Sequence, residues 1–277
     1  MLSVNVDQQG NLYGKWLIRP GLWAITNRWQ NFMYLLVGVD RAALIDSGSG
    51  GGNIRSFVEG ITKRPVMVIN THGHFDHTGG NGCWPEVWMA EEAFADCRHT
   101  FEPVQERLAA EKPYPDYQMH ALHAGDRIDL GNHELEILSI PAHHAGSIAI
   151  IDRTNRILFT GDEFESGQVL MLKSRTEPAF LPTVARHQAN IQKLKSRRSD
   201  YDFICPAHNG CMLNPEPYLD DFIALDQQIL DGVAVAKTDT AGFGFPPDPV
   251  GSGSVFGMFG KQVRVEHGLA SIVYIDS

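Results

Sequence analysis

No CxxC pair occurs in this chain, and its four cysteines, Cys83, Cys97, Cys205 and Cys211, are scattered. That excludes a zinc-ribbon or thioredoxin-type motif, and a chain of 277 residues needs no disulfide framework to be stable. Reduced thiols and a cytoplasmic location are therefore expected. Long hydrophobic runs are also missing. The longest, such as SIAIID, are strand-length and far short of the roughly 20 residues of a membrane span. The start, MLSVNVDQQGNLYGKW, has neither the basic region nor the apolar stretch of a secretory signal. Positive charge is in deficit: 23 Lys and Arg against 33 Asp and Glu leave a net charge of -10. That argues against nucleic acid or an anionic membrane as partner. The one basic knot, KLKSRRS (193–199), reads as the solvated end of a helix, where the dipole favours cations. There is no internal repeat and no low-complexity linker. With 43% hydrophobic residues the chain reads as a single domain over 1–277, with a Gly- and Phe-rich C-terminal extension at 238–262.

What is present is a rhythm. Short apolar runs (AALID, PVMVINT, LEILSI, RILFT, DFIC) each end in a polar, glycine- or proline-containing turn. Runs of this length, rich in Val, Ile and Leu and with weak alternation, predict strands buried on both faces. Residues 1–45 predict strands and turns. Helical spacing predicts helices over 53–63 with Asn53 as cap, over 85–99 behind Pro85, over 183–199 with Thr183 as cap, and over 217–232 stopped by Gly232. VRVEHGLASIVYI predicts a last strand. The result is an α/β chain in which several strands deliver polar clusters to one edge, where ligands favour binding.

The densest cluster is THGHFDHTGG, residues 71–80, with His72, His74, Asp76 and His77. On an extended segment His72 and His74 point the same way and can chelate one ion. Asp76 and His77 follow at a turn and can face a second. Imidazole and carboxylate suit zinc first, and also manganese or iron. His143 in PAHHAGS, Asp162 in FTGD and His208 in PAHNG are metal-competent residues in turns after strands. Seven such side chains are too many for one tetrahedral ion but fit two ions sharing a carboxylate. His99, His120, His123, His133, His187 and His267 lack spacing partners and read as surface or satisfied core histidines.

LIDSG (44–48), THGHFDHTGG, PAHHAGS (141–147), FTGD (159–162) and PAHNG (206–210) together resemble the metallo-β-lactamase fold superfamily of metallo-hydrolases, over roughly residues 15–232. The resemblance implies an αββα sandwich, two mixed sheets flanked by helices with the metals at one edge. It implies that His72, His74 and His143 hold one divalent ion, that Asp76, His77 and His208 hold the other, and that Asp162 bridges them. Asp46 would stand behind the ligands, orienting one of them or a turn. The chain departs from the superfamily pattern by placing Ala142 and Ala207, rather than glycine, just before the ligand histidines, so those positions do not require positive φ. His144 beside His143 is read as a turn histidine, with a substrate contact as the alternative.

Two ions would lower the pKa of a shared water, and the bridging hydroxide would attack a small-molecule ester, thioester, lactone or related bond, oriented by Asp76 as the catalytic carboxylate. The segment EFESGQVLMLKS after Asp162 does not resemble that of the hydroxyacylglutathione-type thioesterases. Alternatives of the same fold are an iron-dependent oxidoreductase and a phosphodiesterase. Residues 163–183 and 238–262 are the candidate substrate walls, and 238–262 reads equally as a lid over the site, an arm contacting another subunit or a plain surface loop. Oligomeric state is not encoded in any readable pattern.

Overall fold

The computed structural model describes residues 3–6, 12–27, 31–98, 113–237 and 261–276. Ser3–Val6 (β1), Leu12–Arg19 (β2), Leu22–Asn27 (β3), Phe32–Val37 (β4) and Ala42–Ile45 (β5) form an antiparallel meander. After a short helix Ile54–Glu59 (α1), the strands Val66–Ile69 (β6), Glu86–Met89 (β7) and Gln118–Ala121 (β8) add on in parallel, completing an eight-stranded sheet in chain order. Between β6 and β7 lies the one-turn helix Phe75–Thr78 (α2). Arg127–Asp129 (β9), Glu134–Ser139 (β10), Ile148–Asp152 (β11) and Ile157–Gly161 (β12) build a second, antiparallel sheet, which Phe203–Pro206 (β14) joins in parallel beside β12.

The two sheets bury apolar side chains on both faces, which explains the weak alternation in the sequence. Along β4, Tyr34 and Leu36 face the space between the sheets, whereas Met33 and Leu35 face α1. Along β11, Ile148 and Ile150 face the inter-sheet core, and Ala149 and Ile151 face the opposite side. That opposite side is covered by the helices Phe180–Ser196 (α3) and Glu216–Leu230 (α4), which bury Val184, Ile191, Leu194, Phe222 and Leu225 against it. The order helix, sheet, sheet, helix is the expected αββα sandwich, and both sheets are mixed.

A third sheet was not anticipated. Val169–Ser174 (β13), Ala236–Lys237 (β15), Lys261–His267 (β16) and Ala270–Asp276 (β17) form four strands in the order β13-β17-β16-β15, with β13 parallel to β17. The segment read as one last strand is a hairpin, β16 and β17, turned at Gly268 with φ +56. Residues 261 and 262 belong to β16, so the Gly- and Phe-rich extension ends sooner than expected, and its 238–260 portion lies outside the described residues.

Three of the four expected helices form, though α1 stops at Glu59 rather than running to 63. Asn53 caps α1 by accepting from the Ser56 N–H at 2.9 Å. α4 ends shortly before Gly232, whose φ is +71. α3 begins three residues earlier than Thr183. Pro182 sits in its first turn, where a missing N–H costs nothing, and Thr183 turns its hydroxyl back to the Ala179 carbonyl at 2.8 Å. Residues 85–98, the described part of the helix expected over 85–99, are not a helix: they form β7 and two short 3₁₀ turns. Val87 and Met89 alternate inward on β7, and parallel pairing with β6 and β8 overrides the helical propensity of the glutamates and alanines that follow. Among the described residues no helix is long and apolar enough to cross a membrane.

Candidate metal centre

The C-terminal ends of β5, β6, β10, β12 and β14 open onto one edge of the sandwich, and each delivers one piece of a single site. β6 runs through Asn70 and Thr71 to His72. His74 precedes α2 in extended conformation, and its carbonyl accepts the His77 and Thr78 N–H groups at 3.0 and 3.1 Å. That one turn places Asp76 and His77 one side over from His72 and His74. Gly73 between the first two histidines is forced: a Cβ there would meet the Ala93 carbonyl at 2.9 Å and His144 Nε2 at 3.1 Å.

Three imidazole nitrogens converge in the first cluster. His74 Nδ1 lies 3.0 Å from His72 Nε2 and 2.9 Å from His143 Nε2. In the second, Asp76 Oδ2 lies 3.1 Å from His208 Nε2 and 3.5 Å from His77 Nε2. Asp162 Oδ2 sits between them, 3.4 Å from His77, 3.6 Å from His208, 3.6 Å from His143 and 3.9 Å from His72. A tetrahedral ion with bonds of about 2.0–2.1 Å holds its donor atoms about 3.3 Å apart, so these spacings fit such ions.

The protonation pattern points the same way. His143 Nδ1 donates to the Leu170 carbonyl at 2.7 Å, and His77 Nδ1 donates to Asp46 Oδ2 at 2.9 Å. The Thr71 hydroxyl donates to Asp46 Oδ2 and so receives His72 Nδ1 at 3.2 Å. In His72 and His143 the outer nitrogen carries the proton and the inner Nε2 presents a lone pair, whereas Asp162, Asp76 and Asp46 hold His77 above the usual histidine range against the effect of its burial. Facing lone pairs cannot satisfy each other, but a cation satisfies all of them. His77 Nε2 and Asp162 Oδ1 are buried with no hydrogen-bond partner, the mark of groups made for a ligand. Burial and the neighbouring imidazoles push His72 and His74 well below the usual histidine range, keeping them neutral donors. Burial alone would raise Asp76 and Asp162, yet His77 and His208 hold both below the usual carboxylate range. His208, against the effect of its own burial, is pushed up to about 9 by Asp162 and Asp76.

The family described as the metallo-beta-lactamase superfamily matches residues 26–208. The chain belongs to the metallo-β-lactamase superfamily. Among curated proteins it is similar to an acyl-coenzyme A thioesterase, MBLAC2, of Gallus gallus, 30% identical over 50% of this chain and 59% of that protein. It is also similar to a hydroxyacylglutathione hydrolase of Synechococcus sp., 28% identical over 66% of each. The chain thus spans about three-fifths of the thioesterase it matches. Among solved structures, a metallo-beta-lactamase family protein from Thermus thermophilus superposes with a TM-score of 0.57 at 19% identity, over 78% of this chain and 82% of that one. The Rm3 metallo-beta-lactamase does so at 0.54 and 16%, over 76% and 90%. At those identities the likeness is one of fold.

In this superfamily member all seven residues singled out in the sequence meet at one place, in two groups, with Asp162 between. Asp46 stands directly behind them. It takes the Thr71 N–H at 2.7 Å and the Thr71 hydroxyl at 2.8 Å besides His77, and its φ is +60. Ala142 and Ala207 are not among the residues with positive φ. His144 does not join either group: Nδ1 accepts the Gly146 N–H at 2.9 Å and Nε2 bonds Asp96 at 2.7 Å, so both nitrogens are used. Of the unassigned histidines, His133 pairs with Asp152 and His187 with Asp226 in the interior, while His123 is exposed. His99 lies outside the described residues.

The sequence pattern missed the supports. Asn70 and Ser47 both donate to the His77 carbonyl, and Asn31 donates to that of Asp76. Leu170 supplies only a backbone oxygen, which leaves no mark in sequence. Glu163, fully buried, was detectable in principle as a charge inside the apolar stretch ILFTGDEF. Burial pushes its carboxyl up to about 7 despite the hydrogen bonds around it.

Proposed function

We propose that this chain is a metal-dependent hydrolase of small-molecule thioesters that works with two divalent ions, zinc first. The observation that carries this reading is the position of Asp162 Oδ2, within 3.9 Å of four histidines drawn from both clusters. His72, His74 and His143 would hold one ion, Asp76, His77 and His208 the other, and Asp162 would serve both. When bound, such ions lower the pKa of a coordinated water and polarise the attacked carbonyl.

The chain's own residues do the rest. Asp46 fixes the proton on His77 Nδ1, and the Leu170 carbonyl fixes that on His143 Nδ1, so both inner nitrogens stay aimed inward. Asp76 would also receive a proton from the attacking water and return it to the departing group. A thiolate departs with little protonation, because a thiol is far more acidic than an alcohol. The activities of the similar acyl-coenzyme A thioesterase and hydroxyacylglutathione hydrolase support thioesters among the bonds this chemistry can reach.

The deciding experiment loads the protein with zinc, counts the metal, and follows turnover of an acyl-coenzyme A, an S-acylglutathione, a lactone, a β-lactam and a phosphodiester. Two equivalents of zinc and thiol release from a thioester are expected. Lactone or phosphodiester turnover with inert thioesters sinks the substrate class, and one equivalent of iron with oxygen uptake sinks the hydrolase.

A further inference from the structure

Glu163 follows Asp162 directly but points away from the cluster. It is fully buried and uses both carboxylate oxygens. Oε2 accepts two consecutive backbone N–H groups, those of Ala142 at 3.2 Å and His143 at 2.8 Å. Two successive amides aimed at one oxygen form an anion-holding concavity, here filled by the protein's own carboxylate. Oε1 accepts the Asn190 side-chain amide at 2.7 Å. The backbone of Glu163 is held as well: its carbonyl bonds His187 Nε2 at 3.0 Å, and His187 Nδ1 bonds Asp226 at 2.7 Å. His187 and Asn190 are three apart on α3 and share one of its faces, and Asp226 comes from α4.

We infer that Glu163 is a positioning residue that sets the reach of His143 into the first cluster and makes zinc affinity there depend on α3. This rests on the reading of His143 as a metal ligand. The turn Pro141–Ala142–His143 lacks the usual glycine of its superfamily, and its two N–H groups have no strand partner. Glu163 satisfies both and fixes the main chain from which the His143 ring projects. The Leu170 carbonyl fixes the ring's rotation, and Glu163 fixes its origin. The role needs an acceptor oxygen, not a charge. Glutamine can supply it, provided the Asn190 amide turns over to present its own oxygen to the new Nε2.

The test is a competition titration with zinc against a chromophoric chelator, on the wild type and on E163A, E163Q, N190A, H143A and the E163A/H143A double variant, with thermal melting of each. E163A should weaken one of the two zinc equivalents about 10- to 100-fold, the range found for partners behind metal ligands, and leave the other unchanged. N190A should do the same to a smaller extent, E163Q should stay within about threefold of wild type, and E163A should add nothing in the H143A background. Two unchanged affinities in E163A overturn the inference. So does an equal loss at both equivalents that E163Q fails to restore, since that marks a general loss of fold. If H143A itself keeps both equivalents, the metal-site reading falls and takes the inference with it. If H143A loses one while E163A keeps both, only the inference falls.

Discussion

The two ligand clusters meet at Asp162 but are built on opposite principles. His72, His74 and His143 are neutral, His72 and His143 buried and His74 half-buried, and they bring nitrogen alone. Asp76, His77, Asp162 and His208 bring two carboxylates that stay ionised. A divalent ion among the first three adds a double positive charge to an uncharged pocket; among the second four it is neutralised. The second cluster therefore attracts cations by charge and accepts harder ions, whereas the first must rely on donor chemistry and on rings held in place. Its rings are held from outside, by Thr71, Leu170 and the Glu163 network, because attraction alone does not order them.

Breaking the shared atom gives the largest effect. Asp162→Ala should cost zinc at both clusters and lower thioester turnover by more than about 100-fold, beyond the loss expected for a partner behind the ligands. Full zinc content by elemental analysis would break the comparison at its root. Next come the single-cluster variants. His74→Ala and His208→Ala should each retain one equivalent, but the ion left in His208→Ala should strongly prefer zinc over manganese, and the one left in His74→Ala much less so. Equal preference in a competition titration would erase the distinction. A smaller change is expected of Asp46→Asn. It keeps an acceptor and tolerates the positive φ, but it weakens the hold on His77, so zinc should weaken about tenfold at the second cluster and less at the first. A uniform loss would instead assign Asp46 to the turn.

The smallest effect lies outside both clusters and serves as their control. Buried His187, whose own burial opposes a charge, is pushed up to about 9 by Asp226 and Glu163. A histidine raised above its ordinary value stabilises the fold fully below about 6.5 and loses that contribution as pH rises through about 9. Asp226, itself raised by burial, acts in the same direction. The melting temperature of the zinc-loaded protein should fall between about pH 6.5 and 9.5, and His187→Gln should flatten the slope. A rise over that window would rule out a charged pair.

The ligand set was legible because each member follows a short apolar run and sits in a turn, so strand ends and metal-competent residues coincide from Asp46 to His208. The αββα layering was legible only through the superfamily resemblance that these motifs carry. Residues 85–99 misled because EEAFAD favours a helix locally, and only pairing of Val87 and Trp88 with neighbouring strands decides otherwise. The third sheet was illegible because Val169 pairs with Ile272, and no local pattern announces a partner that remote. Leu170 and Glu163 were missed because one acts through its backbone and the other through backbone groups of a distant turn.

That remote pairing sets an order of events. β13 carries the carbonyl that orients His143, and β17, which pairs with it, comes from the last described stretch of chain. Closing so long a loop is slow and follows the local turns. The THGHFDHT turn can form early and offer two ligands to each cluster. The nitrogen pocket reaches full strength only after β17 docks. A refolding protein should thus acquire its two zinc ions in separate phases, with the second phase timed by the C-terminal hairpin.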